Sequence, residues 1–270
     1  MNLPGENDFF GWVFYLIGKY GSIFLHGAGV TILLAVVGTI IGCIIGLLVG
    51  VLRTLPLKPN ANPVLKILHK IMQLILVAYI EIFRGTPMIV QAMVFYFGSK
   101  QMFGIDMSPM VAGFLVVSIN TGAYMAETVR GGIDSIDIGQ TEAAKAIGMT
   151  HWQTMVNVIM PQTLRNILPQ IGNNLIINIK DTSVLNVISV TELFYSGNSA
   201  AGAYFRYFEV FFIISVIYFI MTFSCSRLLR WVEHKIDGSN YYTLVKSDMM
   251  ADPCGHNPVK KHGGDKTWMK

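Results

Sequence analysis

The sequence predicts an all-α integral membrane protein with about five transmembrane helices. Two observations carry that expectation. The 270 residues are 53% hydrophobic and only 13% charged, where a soluble domain carries about 25% charged residues. The charges also lie between long apolar runs, as expected of segments that must pair every backbone group inside a bilayer. The formal net charge of +4 is too small to mark a nucleic-acid binder, so the basic residues are read for topology. Cys43, Cys225 and Cys254 are scattered. They have neither metal-ligand nor redox spacing and imply no disulfide framework.

Residues 1–29 read as a lead-in segment. The stretch 9–26 is apolar and aromatic but is interrupted by Gly18, Lys19 and Gly21, which fits an interfacial segment better than a full span. Glu6 and Asp8 precede it with no Lys or Arg before Lys19, the wrong charge for a cleavable signal peptide. From Val30 to Leu52 no charge occurs, enough for a first span. Gly38, Gly42, Gly46 and Gly50 recur on one face of it, where small residues let a neighbouring backbone approach. That stripe is assigned to packing.

Arg53, Lys58, Lys66, His69 and Lys70 surround Pro56, Pro59 and Pro63, predicting a basic, turn-rich cytoplasmic loop. A second apolar stretch covers Ile71 to Phe97. Glu81-Ile82-Phe83-Arg84-Gly85-Thr86-Pro87 interrupts it, with Pro87 expected to kink the helix and an ion pair expected at the kink. Glu-x-x-Arg-Gly recurs at Glu127 to Gly131, a weak repeat. After a short loop from Gly98 to Ser108, a third span runs from Pro109 to Val129. Asn120, Tyr124 and Glu127 share one face of it. Lipid would leave that stripe unsatisfied, so it bonds a neighbouring helix or lines a pathway.

A polar stretch from Glu142 to Pro169 separates the third and fourth spans. Ala143, Ala144 and Ala146 favour helix, and Gly148 suits a helix end. Thr150 and Gln153 have capping-box spacing, so a second helix can start there. Pro161 is expected to break or kink that second helix. Two short helices with a bend at Gly148 are predicted. The fourth span, Gly172 to Glu192, is the least apolar. At 100° per residue Asn174, Asn178, Asp181, Thr182, Asn186 and Ser189 share a face, with Lys180 turned away. Asp and Lys each cost about 2.5–3.5 kcal/mol at a helix centre, so their presence implies a polar path. Asp181 has two readings, a path residue or one member of a structural pair with a basic residue such as Arg84. Leu193 to Tyr207 is read as an external segment with a short surface helix. The fifth span covers Phe208 to Arg227, and the tail 236–270 is expected to be disordered.

The stretch Glu142-Ala143-Ala144, three residues, Gly148, nine residues, Val158-Ile159-Met160-Pro161 closely resembles the EAA loop of ABC-importer permeases. Val158 and Met160 replace the family's Ile and Leu. Glu81 to Pro87 and Lys180-Asp181-Thr182-Ser183-Val184-Leu185 resemble segments of polar amino acid permeases, and the likeness extends from Gly27 to Lys235. The resemblance implies the type I ABC importer architecture in residues 30–235 and a coupling loop at 142–169. Its ATPase-coupling residues would be Glu142, Ala143, Ala144, Gly148 and Pro161. It also implies an ABC ATPase partner that carries ATP and magnesium, an extracytoplasmic amino acid-binding protein, and a second permease chain, identical or related. The setting would be the bacterial cytoplasmic membrane.

Asp181, Asn178, Thr182, Asn120 and Glu127 are the candidate substrate-path residues, with no catalytic or metal-binding residue. No Gly-x-x-x-x-Gly-Lys-Ser/Thr stretch occurs, since Tyr20 comes directly after Gly18-Lys19. ATP would therefore be bound by another polypeptide, and no cofactor is expected in this chain. Of the twenty Lys and Arg residues, Lys19, Lys100 and Arg206 fall outside and Arg84 and Lys180 fall in spans. The rest lie on one side, which predicts N-terminus out and C-terminus in. The rival reading is an ion-coupled secondary transporter relaying protons through Asp181 or Glu127. An intramembrane enzyme is disfavoured because no nucleophile–base constellation appears.

Overall fold

The structure is a computed structural model describing residues 3–55, 57 and 62–237. Those residues are mainly helical, in nine α-helices: α1 Phe9–Thr54, α2 Pro63–Gly85, α3 Met88–Phe103, α4 Pro109–Asp134, α5 Ile138–Ala146, α6 His151–Thr154, α7 Met160–Asp181, α8 Leu193–Tyr204 and α9 Tyr207–Asp237. Ile236 and Asp237 of the expected tail belong to α9, and the rest of the tail, with Cys254, lies outside the described residues.

The pair α1 and α4 is the most extensive helix contact, and the glycine stripe explains it. A Cβ at Gly38, Gly42, Gly46 or Gly50 would fall within 3 Å of Val117, Thr121, Met125 or Val129 respectively. Both series ascend together in steps of four, so the two helices run parallel with their backbones close. His69 against the Leu55 carbonyl and Gln73 on the Leu52 carbonyl set α2 antiparallel to α1, and so to α4. Asn178 on Thr121 and Asn174 on Met125 do the same for α7. The chain thus crosses in alternating directions, with α2 and α3 as two pieces of one crossing.

Several elements differ from the sequence expectation. The lead-in and the first span are one helix. Its 46 residues span about 69 Å, and Trp12, Val13, Leu16 and Phe24 bury themselves in a cluster with α8 and α9. Lys19 is accommodated because its ammonium donates to the Tyr204 hydroxyl and lies over the Tyr204 ring at 4.9 Å. Lys66, His69 and Lys70 belong to α2, not to a loop, because Asn62 caps a helix that starts with Pro63. The helix is broken at Thr86–Pro87, not merely kinked. The expected Gly98–Ser108 loop is shorter, since α3 continues to Phe103.

Among the described residues, α1, α2, α4 and α9 are long and apolar enough to cross a membrane. The predicted fourth span is not among them. It is the polar end of α7 joined to a 3-10 segment, Thr182–Ile188, and it packs against α1, α3 and α4. Helices on three sides let a polar segment lie where lipid would not accept it. The predicted surface helix is α8, but Leu193, Ser196, Gly197, Ala200 and Ala201 are buried. Glu192 anchors it. This fully buried carboxylate accepts hydrogen bonds from the Phe194 and Tyr195 amides at 2.8 and 2.7 Å. It also accepts from the Tyr218 hydroxyl at 2.9 Å and the Thr31 hydroxyl at 3.4 Å, joining α1, α8 and α9.

Candidate functional site: a loop surface and a polar cavity

The loop region is built from α5, α6 and the start of α7. Asp137 caps α5 through the Gly139 amide at 2.6 Å. Beyond it Gly148 takes φ +83°, a left-handed conformation that glycine adopts without strain. Thr150 and Gln153 form a reciprocal capping box that starts α6. The second helix is not short. It continues through a π-helical turn, Met155–Ile159, into α7. Pro161 lies in the first turn of α7, so its missing N–H costs no interior bond after the wider turn. Glu142, Ala143, Gly148 and Pro161 are exposed and Ala144 is buried. Ile147 and Trp152 add large exposed apolar surface beside them.

The second feature is a cavity of about 630 Å³ where the α2–α3 break, α4 and α7 meet. Asp181, Asn178 and Asn120 line it, together with Arg84, Tyr124 and Gln170. Two candidate path residues stand apart. Thr182 is fully buried, its hydroxyl donating to the Ile179 carbonyl at 3.0 Å. Glu127 binds Arg53 at 2.9 Å, Arg130 on its own helix, and Arg84 at 3.9 Å. The expected ion pair at the break is therefore not local: Arg84 reaches Glu127 across to α4. Among the described residues neither Glu81 nor Asp181 is in an ion pair, so the alternative pairing of Asp181 with Arg84 is not formed. Arg84 instead lies over the Tyr124 ring at 5.6 Å and faces the same cavity as Asp181.

Asn178 donates to Thr39 at 2.8 Å and to Thr121 at 2.9 Å, so it joins the cavity wall to α1. Sequence reasoning missed Gln91. Its buried amide nitrogen lies 2.9 Å from the Phe83 carbonyl, the Thr86 carbonyl and the Thr86 hydroxyl, three acceptors that share its two N–H donors. A signal was available: a lone Gln in an apolar run, one turn beyond a proline that leaves a carbonyl unpaired.

Residues 67–238 match the family described as "Binding-protein-dependent transport system inner membrane component", and the chain belongs to that family. It is an integral membrane permease of the ABC-importer class. The glutamine transport system permease protein GlnP of Escherichia coli (strain K12) is 41% identical over 159 residues, covering 58% of this chain and 73% of that protein. The arginine transport system permease protein ArtQ of Bacillus subtilis (strain 168) is 33% identical over 162 residues, covering 60% of this chain and 74% of that protein. Among solved structures, an amino acid ABC transporter crystallised with histidines is 36% identical. Its TM-score is 0.72, covering 82% of this chain and 98% of that one. The inward-facing MetNI methionine ABC transporter shares the fold, with a TM-score of 0.60 at 22% identity, covering 78% and 96% of the two chains. Together they establish the type I importer permease fold and leave the secondary-transporter alternative without support.

Proposed function

We propose that this chain is the permease subunit of an ATP-driven importer for polar amino acids. The observation that carries the substrate class is the cavity. A guanidinium, Arg84, and a carboxylate, Asp181, face one polar space of about 630 Å³ among hydroxyls and amides. That arrangement suits a zwitterion, with an ammonium group near Asp181 and the amide oxygens of Asn120 and Asn178 as neutral acceptors. The relatives named for glutamine and arginine transport support the same class.

The chain itself makes and breaks no bonds. ATP and magnesium belong to a separate ATPase subunit that docks on Glu142, Ala143, Ala144, Gly148 and the segment leading to Pro161. A second permease chain completes the pore, and an external binding protein delivers the substrate. Residues 30–235 form the transport domain in this reading, with the N-terminus outside and the C-terminus in the cytoplasm. Hydrolysis drives the change of access, because a cycle needs states of different affinity. Reconstituting the permease, ATPase and binding protein in proteoliposomes tests the reading. Uptake of labelled L-glutamine, L-histidine or L-arginine should require all three proteins and ATP. Uptake by the permease alone under a proton gradient would overturn it.

A further inference from the structure

The break between α2 and α3 is held by two side chains from outside it. In a continuous helix the residue at position 87 would donate its N–H to the Phe83 carbonyl. Pro87 has none. Phe83 O is instead taken by the Gln91 amide at 2.9 Å and the Asn120 amide at 3.1 Å, filling both lone pairs. The Thr86 hydroxyl donates to the Ile82 carbonyl at 2.8 Å and accepts from Gln91 at 2.9 Å. Gln91 shares its two N–H donors among these two acceptors and Thr86 O, and accepts from Asn120 at 3.1 Å. So the carbonyls on either side of Arg84 and Gly85 are tied to α3 and α4. These ties surround the segment that forms one wall of the cavity.

We propose that Gln91 and Asn120 are positioning residues: they hold the Phe83–Pro87 break and thereby place the Arg84 guanidinium on the cavity wall, where it receives the carboxylate of an amino acid. This rests on the proposed substrate role of the cavity. Arg84 is suited to that task because its contact to Glu127, 3.9 Å, is looser than the Arg53 and Arg130 contacts, which already serve the Glu127 charge. A carboxylate in the cavity offers the guanidinium a bidentate partner in its place.

The test measures direct binding of labelled L-histidine, L-glutamine and L-arginine to the purified permease–ATPase complex. The binding protein is left out so that its own affinity does not mask the cavity. Arg84→Gln is expected to weaken binding of the best ligand about 10-fold, the scale of one charge-assisted contact. Gln91→Met, of similar length but without donors, should weaken it by a similar factor. The double variant should bind no worse than Arg84→Gln alone, since Gln91 acts through Arg84. Thr86→Val, at an exposed position, removes one acceptor and should give a smaller loss, and it carries the test if Gln91→Met does not assemble. If Arg84→Gln weakens binding but Gln91→Met and Thr86→Val do not, or if the losses multiply in the double variant, the positioning role is wrong. If the parent complex binds none of the three, or Arg84→Gln binds as the parent does, the substrate reading of Arg84 falls first.

Discussion

Gly46→Ala should destabilise the permease, whereas Gly29→Ala on the same helix should not. A Cβ at Gly46 would lie 2.4 Å from the Met125 Cβ, 2.8 Å from the Met125 carbonyl carbon and 2.9 Å from the Ala126 nitrogen. Two of these are backbone atoms, so no rotamer change relieves the clash. Carbon pairs rest at about 3.5–4.0 Å, so α1 and α4 must part locally by roughly 1 Å. Overpacking of that kind costs about 1–3 kcal/mol, against a gain of about 0.5–1 kcal/mol from replacing a helical glycine by alanine. The expected net loss is about 1–2 kcal/mol. At Gly29 no atom lies within 4 Å of the new methyl, so only the gain remains. The gain is common to both, so the two variants should differ by the overpacking cost, roughly 1–3 kcal/mol. At roughly 2–4 °C per kcal/mol for a domain of this size, Tm values of the purified complex should separate by several degrees in a fluorescence melt. Equal Tm values would mean that α1 and α4 are not packed backbone to backbone at this level.

Gly148→Val should leave membrane insertion intact and abolish substrate-stimulated ATP hydrolysis, because φ is +83° there and left-handed backbone costs an L-residue about 1–2 kcal/mol; unchanged stimulation would remove the turn from coupling. Glu142→Lys reverses the charge of an exposed position on α5 and should lower the amount of ATPase that co-purifies. In a background lacking Cys43, Cys225 and Cys254, single cysteines at Gln101 and Ser199 should react with an impermeant thiol reagent from outside, and one at Gln140 only after the membrane is opened; labelling of Gln140 from outside would invert the orientation. Asp181→Asn should keep assembly, Tm and stimulated ATPase activity near the parent while lowering uptake several-fold. A fall in Tm that a neutralising change at Arg84 restores would make the pair structural instead.

How much of the fold can be read from the chain depends on the range of the interactions involved. The glycine stripe is legible because it is periodic and because close approach has few other causes. The capping box at Thr150 is legible because both partners lie within one turn. Gly148 is legible for the same local reason. Pro161 misleads: a proline is expensive only inside a regular ladder, and the π-helical turn before it supplies a widened one. The lead-in misleads at Lys19, because the residue that accommodates it, Tyr204, lies far along the chain.

The cavity shows the same division. A helical projection ranks the residues of one helix around its own axis and says nothing about which neighbour each one meets. It gathers Asn174, Asn178 and Asp181 correctly onto the cavity face of α7, but α7 ends at Asp181. The 3-10 segment then rotates by 120° per residue, so Asn186 and Ser189 leave the projected face. Thr182 is buried by α7's neighbours, and Glu127 is claimed by arginines from α1, α2 and α4. Which face of α4 meets the break is decided by the α1–α4 register, with Gly42 against Thr121 and Gly46 against Met125. That register fixes the height of Asn120 and Tyr124, one on the Phe83 carbonyl and the other under Arg84. A stripe of glycines chosen for packing and a proline that leaves one carbonyl bare thus combine to place a charged group on a polar wall.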